Sequence, residues 1–349
     1  MFFTPSNMEG KRMKSKKNKR NQGNGGGLKK QRSFLRSVTV SGFKSIKSLE
    51  GLKLGPLNIL IGANGAGKSN FIEALWMMRA YKSGQLEYFA GDLRHQSGLD
   101  DLPYAGWEAT PEIYMEFEAD RSVGMFDFFL EKGKLSCQDS GSFENDEDEE
   151  ELDWIFKNAV YMPQVDMEYM RSPAVESMMA VLLEEHSASE MKDLMKIFRL
   201  MMPFFEGFEI KDGDEKKKIA WRQKGMKRPM SFKQLPEGAL RLLEILLVLR
   251  MRPSLLLMDK PELGLHFETM VFLAEALKTL SPVTQVVMET QSPFMLSQFK
   301  PEDVIMVRRE KGASVFERPD MDEIKPWLED GSLGSLWLKN VLRAGTEAE

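Results

Sequence analysis

Cysteine and histidine are scarce in this chain of 349 residues, which has one cysteine, Cys137, and three histidines, His95, His186 and His266. A lone cysteine excludes an internal disulfide and fits a reducing compartment. So few nitrogen and sulfur ligands also exclude a structural zinc site. Long apolar runs are missing too: none approaches the roughly 18 residues that a membrane-spanning helix needs. The basic N-terminus has no apolar stretch behind its charges, so it does not read as a secretory signal. No internal repeat and no sustained heptad pattern is present, which sets aside a long coiled-coil arm. These absences lead us to expect a cytoplasmic protein with no membrane partner.

What is present has an ordinary balance, with 42% apolar and 29% charged residues, as expected of a globular protein large enough for a substantial core in one domain or two lobes. The 25 methionines read as flexible core filler. The net charge of −5 conceals two opposed segments. Residues 1–32 carry ten lysines and arginines against Glu9 in a Gly/Asn-rich background, leaving the remainder at about −14. Without apolar periodicity this tail is expected to be disordered. It reads either as a grip on nucleic-acid phosphates or as a solubilising arm, or as an overextended gene start before Met8 or Met13. The acidic run from Glu144 to Asp153 reads as a solvated loop.

The strongest signal is Gly62-Ala-Asn-Gly-Ala-Gly-Lys68-Ser69, which satisfies G-x-x-x-x-G-K-[ST] at every fixed position. Its flanks fit as well, with a buried strand over residues 57–61 before it and a helix from about residue 70 to 82 after it. In such a loop the backbone N–H groups of Gly62, Asn64, Gly65, Ala66 and Gly67, with the helix start at Asn70, surround phosphates. Lys68 reaches the terminal phosphates and the Ser69 hydroxyl ligates Mg2+. ATP with Mg2+ is the expected ligand. The partner motif of a P-loop ATPase is a carboxylate at the end of a buried strand, which orients the metal's shell. Leu255-Leu-Leu-Met258-Asp259 supplies it.

The expected elements alternate around these motifs. Strands are expected at 34–40, 48–54, 112–118, 123–130 and 159–162, and helices at 174–185 and 189–202, with Ser189 as N-cap. A hairpin at 208–211 and 218–223 follows. The last third reads as a βαβ array: helix 237–251, strand 255–258, helix 268–280 and strand 285–288, then strands at 304–307 and 314–317 and helical turns around Trp327 and Trp337.

Four motifs in this order carry a family resemblance. Phe43-Lys-Ser-Ile-Lys-Ser48 before the P-loop, Leu235-Pro-Glu-Gly-Ala-Leu-Arg241, Leu257-Met-Asp-Lys-Pro-Glu-Leu-Gly-Leu-His266 and Thr290-Gln-Ser-Pro293 resemble, respectively, the lead-in, signature, Walker B with D-loop, and switch of AAA-family ATPases of the RecF/SMC-like branch of the ABC superfamily. The C-terminal Trp327-to-Trp337 segment is also similar. The resemblance covers residues 33 to about 342. It implies an α/β ABC-type head with a mainly parallel core sheet, an antiparallel β subdomain and a helical lobe. The implied divisions are 33–130 with the P-loop, 131–206 with the acidic loop and helical insertion, and 207–349 with the later motifs.

The family's heads close as a dimer around ATP, which implies a homodimer here with Gly238 and Arg241 as cross-subunit contacts. Gln164 stands as a candidate Q-loop residue sensing Mg2+, or as an ordinary loop glutamine. Three departures bear on activity. Lys260 occupies the position of the catalytic glutamate, and an ammonium has no lone pair with which to accept a proton from water. Pro236 replaces the signature serine and has neither hydroxyl nor N–H. Gln291 replaces the switch histidine and keeps a hydrogen-bonding side chain. Glu262 falls in the turn after Asp259, without an evident path to the reacting atoms. Three functions compete: a nucleotide-controlled switch with impaired hydrolysis, an active ATPase coupled to DNA maintenance or anti-phage defence with a nuclease or other effector as partner, and a nucleic-acid module acting through its basic tail. A small-molecule kinase is disfavoured by the signature and D-loop motifs.

Overall fold

The computed structural model describes residues 33–89, 98–143, 146–164, 167–213, 216–329 and 331–342. The basic tail and His95 lie outside the described residues. The central element is a six-stranded sheet in the order β14-β13-β3-β12-β11-β7. Its strands are β3 (Leu57–Ile61), β7 (Val160–Met162), β11 (Leu255–Asp259), β12 (Gln285–Glu289), β13 (Val304–Glu310) and β14 (Ala313–Glu317). The five strands from β13 to β7 run parallel, and β14 closes one edge antiparallel.

Strands β3, β11 and β12 are buried at every position, as parallel strands covered on both faces must be. Successive side chains alternate between two cores. Ile59, Ile61, Leu256 and Met258 join one hydrophobic cluster, whereas Leu60, Leu255, Leu257 and Val287 join the other. The second cluster is covered by helix α1 (Lys68–Lys82), through Phe71, Leu75 and Met78. It is shared with an antiparallel sheet in the order β2-β1-β4-β5-β6, built from β1 (Ser37–Phe43), β2 (Ile46–Lys53), β4 (Glu112–Glu118), β5 (Ser122–Glu131) and β6 (Lys134–Phe143). Gln285 couples the two sheets, because its amide accepts from Leu35 N at 2.9 Å and donates to Leu35 O and Gly55 O at 2.8 and 2.9 Å.

The acidic run is not a loop. Helix α2 (Asp146–Lys157) occupies most of it, because Leu152, Ile155 and Phe156 recur at helical spacing and are buried beneath the antiparallel sheet. Glu151 is buried as well, accepting from Ser122 Oγ at 2.7 Å and Arg121 N at 3.0 Å. Strand β6, not foreseen, pairs with β5 from Lys134 to Phe143. The expected division at 130/131 therefore falls inside a hairpin, and β6 and α2 pack with the N-terminal lobe.

On the opposite face lie α3 (Pro173–Glu184), α4 (Ala188–Met201), α5 (Glu237–Met251) and α6 (Phe267–Leu280), together with a small sheet of β8 (Phe205–Lys211), β9 (Lys218–Gln223) and β10 (Met230–Ser231). The cap of α4 is Ser187 rather than Ser189. Its hydroxyl accepts from Glu190 N while the Glu190 carboxylate accepts from Ser187 N, forming a capping box. Short helices α7 (Pro293–Leu296), α8 (Met321–Leu328) and α9 (Leu333–Leu338) are the last helices among the described residues. Among the described residues no helix is long and apolar enough to cross a membrane, and the longest labelled helices have 15 residues.

Cys137 sits half-buried on β6, and burial pushes its thiol up to about 12, with Asp139 adding to the effect and Tyr81 opposing it. Since the thiolate is the reactive form, iodoacetamide at pH 8 is expected to alkylate Cys137 at least ~100-fold more slowly in the folded protein than in urea. Equal rates, followed by mass spectrometry, would show the thiol to be open to solvent.

Candidate nucleotide site

Strand β3 ends at Ile61 and α1 begins at Lys68, so residues 62–67 form a loop between a buried strand and a helix N-terminus. Serines from distant segments brace this loop from behind. Ser314 Oγ donates to Ala66 O at 2.6 Å and lies 2.7 Å from Ser45 Oγ, which in turn accepts from Asn70 Nδ2 at 2.6 Å. Asn70 thus faces the brace. Gly67 packs against these two hydroxyls so closely that a Cβ there would lie 2.0 Å from Ser314 Oγ.

The Lys68 ammonium is buried, donating to Gly62 O and Ala63 O at 2.9 Å each. Burial lowers its pKa, and the carboxylate of Glu289 at 3.6 Å opposes that shift. Ser69 Oγ donates to Glu289 Oε2 at 2.7 Å. Asp259 ends β11 beside them. Burial pushes its carboxyl up to about 6, and repulsion from Glu289 adds to that shift while Lys260 opposes it. Asp259 Oδ1 is buried and has no hydrogen-bond partner.

Lys260 follows with a left-handed backbone, φ 45°, its N–H donating to Glu289 O at 3.0 Å and its Nζ 3.7 Å from Glu289 Oε1. Glu262, expected to be out of the way in the turn, is buried and reaches the switch segment. Its Oε1 accepts from Thr290 Oγ1 at 2.6 Å and Gln291 N at 3.0 Å. Gln291 is exposed, and its amide donates to Asn64 Oδ1 in the P-loop. The structure therefore gathers Asn64, Lys68, Ser69, Asp259, Lys260 and Gln291 at the C-terminal edge of the sheet, where open parallel sheets bind ligands. Gln164 lies exposed just past β7, whose pairing with β11 ends one residue before Asp259.

Two expected contacts are placed differently. Arg241 points into its own chain and is 1% exposed. Its guanidinium donates to Glu244 at 2.6 Å and to Pro163 O at 3.3 Å, anchoring the segment before Gln164. It is not a surface contact, because it starts the second turn of a helix whose face is core. Burial raises the pKa of Glu244 and the Arg241 charge opposes it. Removing one partner of a buried ion pair leaves the other uncompensated. Arg241→Leu is therefore expected to cost about 3 kcal/mol in chemical denaturation, with most of it recovered by adding Glu244→Leu. A single variant as stable as wild type would show the pair to be dispensable. Gly238 packs on the D-loop, where a Cβ would lie 2.3 Å from Gly264 O. Pro236 caps α5 with its carbonyl, which accepts from Ala239 N and Leu240 N at 3.0 Å each.

The donor set fits ATP with Mg2+. Ser69 supplies a hydroxyl and Asp259 a buried carboxylate oxygen that lacks a partner, the hard oxygen donors that Mg2+ takes. Mg2+ at phosphate sites keeps several waters and needs no protein cage. Accordingly, no cluster of three or more His, Cys, Asp or Glu arranged for a metal occurs among the described residues. When bound, the ion neutralises phosphate charge.

Strand, loop, helix, strand-end carboxylate and switch define an ABC-type P-loop ATPase of the SMC/RecF-like group, and comparison with known proteins agrees. A family model described as "AAA domain, putative AbiEii toxin, Type IV TA system" matches residues 57–123 and 129–297, and the chain belongs to that family. Its fold is similar to the SmcHead bound to the C-winged helix domain of ScpA, with TM-score 0.61, 17% identity, and 84% of this chain and 99% of that chain covered. It is also similar to the Smc head domain with an extended coiled coil bound to the C-terminal domain of ScpA from Pyrococcus furiosus (0.59, 14%, 85% and 99%). The Smc head domain with a coiled coil and joint from Pyrococcus yayanosii matches comparably (0.58, 12%, 85% and 99%). A search of curated proteins finds no match.

Proposed function

We propose that this chain is a nucleotide-controlled switch: ATP with Mg2+ binds the P-loop, two copies or one copy and a partner protein close over it, and hydrolysis is slow. Position 260 carries the argument. The residue after Asp259 is a lysine directed at Glu289, so the position from which this family's glutamate would accept a proton holds a cation. Loss of a positioned general base removes about 10²–10⁴ in rate. Gln291 and Asn64 already bridge switch and P-loop, which supports closure that responds to the γ-phosphate. Association with a partner is supported by the similar Smc heads, two of which are described as bound to ScpA.

The test is ATP binding, ATP-dependent association by light scattering, and single-turnover hydrolysis on one preparation. Tight binding and association without turnover support the switch. Turnover at rates ordinary for an ATPase would favour the second reading, an active ATPase coupled to work on DNA or to anti-phage defence. That reading draws on the toxin–antitoxin wording of the family description.

A further inference from the structure

Asp259 and Glu289 are register partners on the parallel strands β11 and β12, so both carboxylates leave the sheet side by side at its C-terminal edge. Neighbouring buried carboxylates repel, and the sheet tolerates them because two ammonium groups face them, Lys68 at 3.6 Å and Lys260 at 3.7 Å from Glu289. The hydroxyl of Ser69 bonds to Glu289, not to Asp259, whose Oδ1 is left without a partner. A Ser69 proton held by Glu289 leaves the hydroxyl lone pairs free for a cation.

We propose that Glu289 is a positioning residue for the metal: it orients Ser69 and supplies a second negative charge beside Asp259, and Lys260 is its counter-ion. The inference rests on the nucleotide reading above and deepens it. Lys260 is then half of a charge pair with Glu289 in addition to marking a missing base. Glu289 acts through Ser69, in the way that outer partners orient metal ligands, where their loss costs about 10–100-fold in metal affinity.

The experiment titrates the full-length protein with mant-ATP in Mg2+ and in EDTA, comparing wild type with Glu289→Gln and Lys260→Met. The readout is the ratio of the two dissociation constants. Glu289→Gln keeps the shape and loses the charge. It is expected to bind mant-ATP more tightly than wild type in EDTA, where the carboxylate repels phosphate. Its gain from Mg2+ is expected to shrink by about tenfold or more. Lys260→Met is expected to move oppositely, weakening binding in EDTA and widening the ratio. A merely structural Glu289 would weaken both conditions together and leave the ratio in place. That unchanged ratio would overturn the assignment while the nucleotide reading stands. Wild-type protein that binds mant-ATP in neither condition overturns both.

Discussion

Lys260→Glu is expected to raise single-turnover ATP hydrolysis by about 10²-fold, within the range a positioned general base contributes, while leaving the backbone as it is. Position 260 has φ 45° in the native chain, a left-handed conformation that costs glutamate no more than lysine, so the exchange is electrostatic and not conformational. The new carboxylate would stand at the edge where Gln291 and Asn64 meet, in place to accept a proton from an attacking water. It would also be the third carboxylate beside Asp259 and Glu289, having replaced the ammonium that now faces Glu289. The double variant Lys260→Glu/Glu289→Gln is therefore expected to be more stable than the single one but slower, because Glu289 positions the metal that hydrolysis needs. Rapid-quench measurement of one turnover decides. Wild-type hydrolysis at the rate of Lys260→Glu would mean that another group already serves as base, and the switch reading would fall.

Gly62→Ala is expected to be the most damaging single methyl in the P-loop. Gly62 has φ 149°, and its added Cβ would lie 2.0 Å from Val307 O on β13. The obstruction is backbone, which cannot rotate aside as a side chain can. Either β13 moves from β3, breaking the pairing that joins Val304, Ile305 and Met306 to Ile59, Leu60 and Ile61, or the loop abandons its path. Strain with a disrupted strand pair is expected to cost about 3 kcal/mol or more, lowering Tm by roughly 5 °C or more in a domain of this size. Gly65→Ala is the control. Gly65 also has positive φ, but no atom lies within 4 Å of the added Cβ, so the cost is expected near 1 kcal/mol. Equal Tm values for the two variants would show that crowding by Val307 is not what fixes Gly62.

The contrast between these positions explains what could be read from the chain. The P-loop, Asp259 and their flanking strand and helix are local patterns, and residues 57–61, 112–118 and 237–251 form the expected elements without shift. Glu289 is a different case. It ends an apolar strand just as Asp259 does, directly before Thr290-Gln-Ser-Pro293, and that similarity was the available signal. Its role depends on β12 lying between β3 and β11, which sets it beside Asp259 on the next strand and beside Ser69, 220 positions earlier in the chain. The contacts of Ser45, Ser314 and Val307 with the loop are illegible in sequence for the same reason, since common residue types gain a role only through the loop they touch. The acidic run misled because its charge outweighed three apolar residues at helical spacing. Arg241 misled because the motif gives a residue type and not a side-chain direction.

The serine brace also has a bearing on how the protein comes into being. The phosphate loop is complete by residue 69, yet its back wall is made by Ser314 and Val307, some 250 residues later. During synthesis the loop therefore emerges long before the strands that shape it. Until β13 and β14 dock, Ala66 O lacks its donor and Gly62 lacks the strand that confines it. Competence for nucleotide is thus acquired only once β13 and β14 have been made, after the signature, D-loop and switch segments. A nascent chain stalled before residue 304 would carry the whole P-loop sequence and not its shape.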